Sequence, residues 1–276
     1  MPRLLVTGAS GYLGGELVRL AGAAWTVTGT YLSAPGACDG VDWRRLDVTD
    51  QDAVGQLVRA LRPDAVVHAA SGRTPEDWTT IADGAGHVAV ASSAVGARLV
   101  HVSSDAVFSG RAAPYDEAAL PDPVNRYGAA KAAAETAVRV ASPAAAVVRT
   151  SLVLGAGSKH ERYALDVITG RLPGVLFTDE LRCPIHVADL AAAMLELAGT
   201  TYAGVINVAG PDAMSRHDLG CLIARRHGVD PGAVPAGRAA SLGVPRALDT
   251  RLDTSLARAT LGTRLHGAAS FLKEAD

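Results

Sequence analysis

The segment Gly8-Ala9-Ser10-Gly11-Tyr12-Leu13-Gly14 follows the strand-like run Leu4 to Thr7 at once and opens a helix-like stretch from about Gly11. A glycine turn joining a strand's carboxyl end to a helix N-terminus restricts the chain to parallel α/β architectures, where backbone amides at such a turn can receive a pyrophosphate. A bare GxxGxxG spacing is also met in tight turns with no ligand, so its context decides. Downstream, apolar runs at Trp25 to Thr30, Ala65 to His68, Leu99 to Val102 and Ala146 to Val148 alternate with helical stretches after Asp50, around Ile81 to Val95 and through Tyr127 and Lys131. Such alternation requires crossover connections and hence a parallel sheet. The expected fold is α/β: a Rossmann-type doubly wound parallel sheet with a smaller C-terminal lobe. Residues 1–150 are expected to form the dinucleotide domain and 151–276 the substrate-binding lobe, with segments that interleave.

With 276 residues, 49% of them hydrophobic, the chain can bury a substantial core. Its net charge of -2 lacks the basic excess of phosphate-tracking proteins, which argues against nucleic acid as a partner. Cys38, Cys183 and Cys221 are odd in number and without metal-ligand spacing, so they read as reduced thiols of a cytoplasmic protein. No His or carboxylate cluster specifies a metal, and no run is apolar enough to span a membrane.

The pyrophosphate cradle is assigned to Gly8, Ser10, Gly11, Tyr12, Leu13 and Gly14. Rossmann sites for NAD place a carboxylate at the end of the second strand, about 20 residues on. Here the sequence is Thr30-Tyr31-Leu32-Ser33, with no acid to repel a 2′-phosphate and no adjacent Arg or Lys to attract one. NADP is favoured on that ground and NAD admitted, with Tyr31 at the ribose and Asp47 and Val48 toward the adenine. Ala69, Ala70 and Ser71 end the fourth strand, at the sheet edge where ligands bind, and their small side chains permit close approach. His68 and His101 fall in buried-strand patterns and read as hydrogen-bonded core residues.

Tyr127 and Lys131 lie four apart on a helix, which sets a phenol beside an ammonium on one face. A phenol of ordinary pKa near ~10 transfers protons poorly at neutral pH, and a neighbouring cation favours its ionised form. Ser103 and Ser104 close the fifth strand and point to opposite faces. Each residue has a structural alternative: a solvated lysine, a packing tyrosine, a strand-end hydroxyl. Their convergence at one sheet edge favours a proton-transfer site.

At these residues the chain resembles the extended short-chain dehydrogenase/reductase family, through the glycine loop, His68-Ala69-Ala70, Ser103-Ser104-Asp105 and Tyr127-Gly128-Ala129-Ala130-Lys131. Within it the segments Val102 to Gly110, Pro121 to Gly128, Arg149-Thr150-Ser151, Pro184 to Leu190 and Pro245 to Leu252 are similar to the dTDP-4-dehydrorhamnose reductase group. The resemblance implies an NAD(P)H-dependent reductase of a 4-keto-6-deoxy nucleotide sugar. In it Tyr127 gives a proton to the nascent alkoxide, Lys131 holds the nicotinamide ribose and lowers the Tyr127 pKa, and Ser104 binds the substrate oxygen. It also keeps two alternatives open, a nucleotide-sugar epimerase or dehydratase and a non-catalytic NADP-binding regulatory subunit. Arg149, Arg182, Arg246 and Arg251 are the cations available for a nucleotide diphosphate, with Arg182 and Arg251 chosen for substrate binding. His186 with Asp189 reads as a helix start rather than an acid-base couple. The chain departs from the group in the Ser71 to Trp78 loop, at Ala106, and at Asp83-Gly84, where the group carries an Asn. A homodimer is the assembly to test for.

Overall fold

The computed structural model describes residues 1–72, 74 and 77–273. Seven parallel strands form the central sheet: β1 (Arg3–Thr7), β2 (Thr26–Tyr31), β3 (Asp42–Arg45), β4 (Ala65–His68), β5 (Arg98–Val102), β6 (Ala146–Arg149) and β7 (Gly204–Asn207). Their order is β7-β6-β5-β4-β1-β2-β3, so the strand order reverses beside β1. A crevice opens there at the carboxyl edge, as doubly wound sheets require.

Alternate side chains along each strand supply two separate cores. Leu4, Val6, Val67, Val100 and Val148 pack against α1 (Tyr12–Ala21) and α6 (Val187–Ala198), through Leu17, Leu190, Met194 and Leu197. On the other face Leu5, Val66, Leu99 and Val147 meet α2 (Gln51–Leu61), α3 (Gly84–Ala94) and α4 (Arg126–Ala141), through Val54, Val58, Val88, Ala134 and Val138. The helix expected around Ile81 to Val95 begins as a wider π turn over Thr79–Asp83 before α3.

The second lobe has its own small core of Leu154, Val167, Leu176, Leu219 and Ile223, built on α5 (Lys159–Ile168) and α7 (Arg216–Arg226). Ser215 caps α7 in a reciprocal capping box with Asp218, as its position before that helix suggests. Three two-stranded pairings brace this lobe, among them Leu181–Arg182 against Met214–Ser215. The chain crosses back after residue 151: α6 covers the main sheet and β7 extends it beside β6. Among the described residues no helix is long and apolar enough to cross a membrane, and no group of His, Cys, Asp and Glu could hold a metal ion.

Candidate active site

One cleft of about 1180 Å³ runs along the carboxyl edge of the sheet and under the second lobe. Its walls include Gly8, Ser10, Gly11, Tyr12, Leu13 and Gly14, then Tyr31, Asp47, Val48, Ala69, Ala70 and Ser71, and finally Ser104, Tyr127, Lys131 and Arg182. Every residue expected to touch a dinucleotide or take part in chemistry is thereby brought to one cavity. Arg251 is not: its guanidinium is gripped by Asp249, with Nε to Oδ1 at 2.9 Å and Nη2 to Oδ2 at 2.7 Å, away from the cleft.

The glycine loop has the shape of a phosphate cradle. Gly8 sits at φ +70, and a Cβ there would approach the Ala70 Cα to 2.6 Å, so the β1 and β4 loops touch backbone to backbone. A Cβ on Gly14 would collide with the Gly8 carbonyl, so only glycine lets α1 start this close to β1. Small residues at Ala69 and Ala70 serve the same approach. The site therefore fits a dinucleotide pyrophosphate, with the N-terminus of α1 facing it. At the adenine end Asp47 accepts from the Thr49 amide at 2.9 Å and its hydroxyl at 2.7 Å, which holds its carboxyl below the ordinary range.

Beyond β5 the backbone continues alongside β6, with the Ser103 amide donating to the Val148 carbonyl and the Asp105 amide to the Thr150 carbonyl, each at 2.7 Å. That extended path turns the two serines to opposite sides. Ser103 is buried and donates to Glu135 Oε1 at 2.5 Å, whereas Ser104 lines the cleft, its hydroxyl accepting from the Ala106 amide at 3.2 Å and donating to Asp105 Oδ1 at 3.3 Å. Tyr127 enters on the first turn of α4, which Asn125 caps by accepting from the Gly128 amide at 2.8 Å. Gly128 is pressed against the Ala106 carbonyl so closely that no Cβ fits, which seats the helix directly on the turn after Ser104.

Lys131 lies one turn further along α4, only 3% exposed, and donates through Nζ to the Val102 carbonyl at 3.0 Å. Burial pushes its pKa down to about 8, against the opposing pull of the Glu135 carboxylate. The Tyr127 phenol is pushed up by burial and by the Asp105 carboxylate, and the neighbouring Ser104 hydroxyl alone acts downward. The expected lowering of the phenol by Lys131 is absent from this balance, since the ammonium is turned to a backbone carbonyl. The same cation and complete burial keep His68 neutral, its pKa down at about 3. His68 shares a 2.6 Å hydrogen bond with Thr7 Oγ1, while neither ring nitrogen of His101 finds a partner among the described residues. The expectation of two satisfied core histidines thus holds for burial of both and for hydrogen bonding at His68 Nδ1, and fails for hydrogen bonding at His101.

Three other candidates fall to structural roles. Arg149 is buried in a two-pronged pair with Glu135, through Nη2 to Oε2 at 2.8 Å and Nε to Oε1 at 3.0 Å. Asp189 stands in the first turn of α6 and accepts from the His266 amide and ring, while His186 caps that helix. Asp83 is exposed at the join of the π turn and α3 and takes no part in lining the cleft. From the divergent loop, Ser71 lines the cleft, and Thr80 does so just beyond it; Arg73, Pro75 and Glu76 lie outside the described residues.

Sequence reasoning singled out Arg182 and Arg246 and missed the other cations at this end of the cleft. Lys159, His160 and Arg162 of α5 line it, with Arg126 and Arg246, and Glu180 is the carboxylate among them. Arg182 lines it too, but its Nη donors go to the carbonyls of Leu181, Ala247 and Leu248, and its Nε stands 3.8 Å from Asp105 Oδ2. Arg216 stands behind, within electrostatic reach of Glu180, Arg182, Tyr163 and Asp105, and lowers the pKa of His160. No hydrogen bond or ion pair engages the Arg216 guanidinium among the described residues. Only the pairing of Leu181–Arg182 with Met214–Ser215 carries Arg216 there, a contact no local pattern reveals.

The arrangement is a glycine cradle opening onto Tyr127, Ser104 and Lys131 in one cleft, with a cationic pocket beyond. A family model described as "RmlD substrate binding domain" matches residues 2–275. A dTDP-4-dehydrorhamnose reductase of Mycobacterium tuberculosis (strain ATCC 25618 / H37Rv) is 33% identical, over 84% of this chain and 78% of the relative. The methionine adenosyltransferase 2 subunit beta of Rattus norvegicus is 28% identical, over 92% of this chain and 80% of the relative. Among solved structures, the dTDP-4-dehydrorhamnose reductase of Bacillus anthracis in complex with NADP superposes with a TM-score of 0.82 at 25% identity, covering 99% and 97% of the two chains. The chain belongs to the RmlD substrate binding domain family, an extended short-chain dehydrogenase/reductase type of NAD(P)-dependent oxidoreductase.

Proposed function

We propose that this protein reduces the keto group of a 4-keto-6-deoxy nucleotide sugar with NAD(P)H. The observation that carries the reading is that Tyr127, Ser104 and Lys131 line one cleft, between the glycine cradle and a cationic pocket. When bound, the reduced nicotinamide supplies a hydride. Ser104 holds the substrate carbonyl oxygen, and Tyr127, kept protonated by burial, gives its proton to the oxygen as negative charge develops there. Lys131 keeps a positive charge beneath the reacting oxygen and is placed to turn from the Val102 carbonyl to a ribose hydroxyl. The nucleotide diphosphate faces Lys159 and Arg162, with the Arg216 charge behind them. The decisive assay mixes the protein with NADPH and a panel of such sugars and follows the loss of reduced-nicotinamide absorbance; no turnover across the panel contradicts the reading.

Two expected results follow from this geometry. Because Lys131 has its pKa near 8 and acts as a cation, the reduction rate should hold through neutrality and fall as pH rises past about 8. A pH profile of kcat that stays flat to pH 10 or so contradicts that role. Arg216→Ala should raise KM about tenfold with kcat little changed, the mark of lost uniform binding. Steady-state kinetics check it.

The dehydratase alternative needs a free acid beside the serine. Asp105 does not supply one, since its Oδ2 already accepts from Ser151 at 2.7 Å and Thr250 at 3.2 Å. A second reading, service as a subunit of another enzyme, is favoured by the similarity to the methionine adenosyltransferase 2 subunit beta. Bound dinucleotide without turnover on any sugar supports that reading over the first.

A further inference from the structure

The face of α4 that carries Tyr127 and Lys131 continues to Glu135, each four residues from the last, so the three side chains follow one another along one side of the helix. Tyr127 opens to the cleft, whereas Lys131 and Glu135 are 3% and 2% exposed. Two consecutive residues at the end of β5 pin both of them. The Val102 carbonyl accepts from Lys131 Nζ at 3.0 Å, and the Ser103 hydroxyl donates to Glu135 Oε1 at 2.5 Å. Arg149 of β6 completes the grip on Glu135 through Nε and Nη2.

An ammonium buried this deeply is costly unless an opposite charge stands near it. The other groups around Lys131 do not supply one. His68 of β4 and His101 of β5 stack their rings at 5.3 Å within its field, and burial keeps both neutral. Asp105, in the turn after Ser104, is occupied by Ser151 and Thr250 and acts on the Tyr127 phenol. On α3 His87 turns to the Val48 carbonyl, Asp83 at the π turn is exposed, and Arg149 has the wrong sign. Glu135 is the carboxylate whose pull opposes burial at Lys131.

We infer that Glu135 is a positioning residue of the proton-transfer site, held beside Lys131 so that the lysine stays a cation at the pH where the reaction runs. The inference rests on the reading of Tyr127 and Lys131 as the reducing pair and deepens it. Stability alone does not account for the carboxylate, because apolar side chains of similar volume often fill a buried ion-pair site as well or better. A retained charge is explained by what it acts on, and Lys131 lies about one helical turn away. Ser103 then serves the site through Glu135, on the side of the strand away from the substrate.

The chain has three lysines, Lys131, Lys159 and Lys273, so protein isotope-labelled at lysine Cε gives three signals whose pH titrations NMR can follow, with Lys131→Arg assigning the first. In the wild type the Lys131 signal should titrate at about 8. Glu135→Gln should bring that midpoint down to about 7, an about tenfold weaker hold on the proton, and leave the Lys159 and Lys273 signals unmoved. Should Glu135→Gln fail to fold beside an unpaired Arg149, Arg149→Met with Glu135→Met removes both charges and should show the same fall. The pH at which kcat for the keto sugar drops should move with the midpoint. A Lys131 midpoint unchanged in a folded variant that lacks the carboxylate overturns the inference and leaves the reduction standing. A midpoint that shifts in a protein unable to reduce any sugar supports the link between Glu135 and Lys131 and overturns the reduction.

Discussion

Tyr127→Phe should reduce kcat for the keto sugar by about 10²- to 10⁴-fold, the usual contribution of a positioned general acid. The substitution removes one hydroxyl and leaves the ring packed in the first turn of α4. Nothing nearby replaces the lost proton. Ser104 can hold the oxygen but has no acidity to match, Lys131 is turned to the Val102 carbonyl, and Asp105 is buried and occupied by Ser151 and Thr250. Steady-state rates, read from nicotinamide absorbance, measure the effect, and circular dichroism confirms that the variant is folded. Turnover unchanged by the substitution contradicts the mechanism.

Arg149→Ala should destabilise the protein by about 3–5 kcal/mol, because it strands a buried carboxylate. Glu135 accepts from Arg149 twice and from Ser103 once, and Arg149 Nη1 also reaches the Ala119 carbonyl at 3.0 Å while its guanidinium covers the Phe108 ring at 4.9 Å. Both partners of the pair are only 2% exposed, so solvent cannot take over the charge. The pair ties α4 to β5 and β6, and through α4 it fixes Tyr127 and Lys131 against Ser104. For a chain of this size the melting temperature should drop by roughly 6–20 °C. Urea denaturation of Arg149→Ala beside the doubly apolar Arg149→Met with Glu135→Met separates the causes. The double variant should recover most of the loss, since removing both charges removes the desolvation problem. Equal losses in the two variants would mean that packing, not charge, is at stake.

The features legible from sequence are those set by local geometry. A strand followed by Gly8, Gly11 and Gly14 can fold in few ways, and the close approach of Gly8 to Ala70 shows why those positions are small. The four-residue spacing of Tyr127 and Lys131 puts both in the cleft, and pleat alternation separates Ser104 from Ser103 as expected. What sequence reading misjudged depends on side-chain pairings that no local spacing assigns. Arg149 and Arg251 look like ligand cations until Glu135 and Asp249 claim them. Arg216 looks ordinary until the pairing of Leu181–Arg182 with Met214–Ser215 carries it behind the cationic end of the cleft. Lys131 was expected to act on the phenol, and its preference for the Val102 carbonyl comes from where β5 ends, which no helical spacing encodes.

The two halves of the cleft also divide the chemistry. The glycine cradle is built from backbone and tolerates little change, while the substrate end is built from side chains of α5, α7 and the Pro245 to Ala247 segment. In the proposed function, substrate choice resides in the second lobe and the Tyr127–Lys131 pair is independent of it.

The most direct measurement is isotope transfer. Protein incubated with NADPH carrying deuterium at nicotinamide C4, one diastereomer at a time, and a 4-keto-6-deoxy nucleotide sugar should yield an alcohol with one deuterium on its C4 carbon from one of the two labels, with NADP released. Recovery of unlabelled sugar altered only in configuration, with the dinucleotide retained, or no sugar product at all beside tightly bound dinucleotide, would contradict the account.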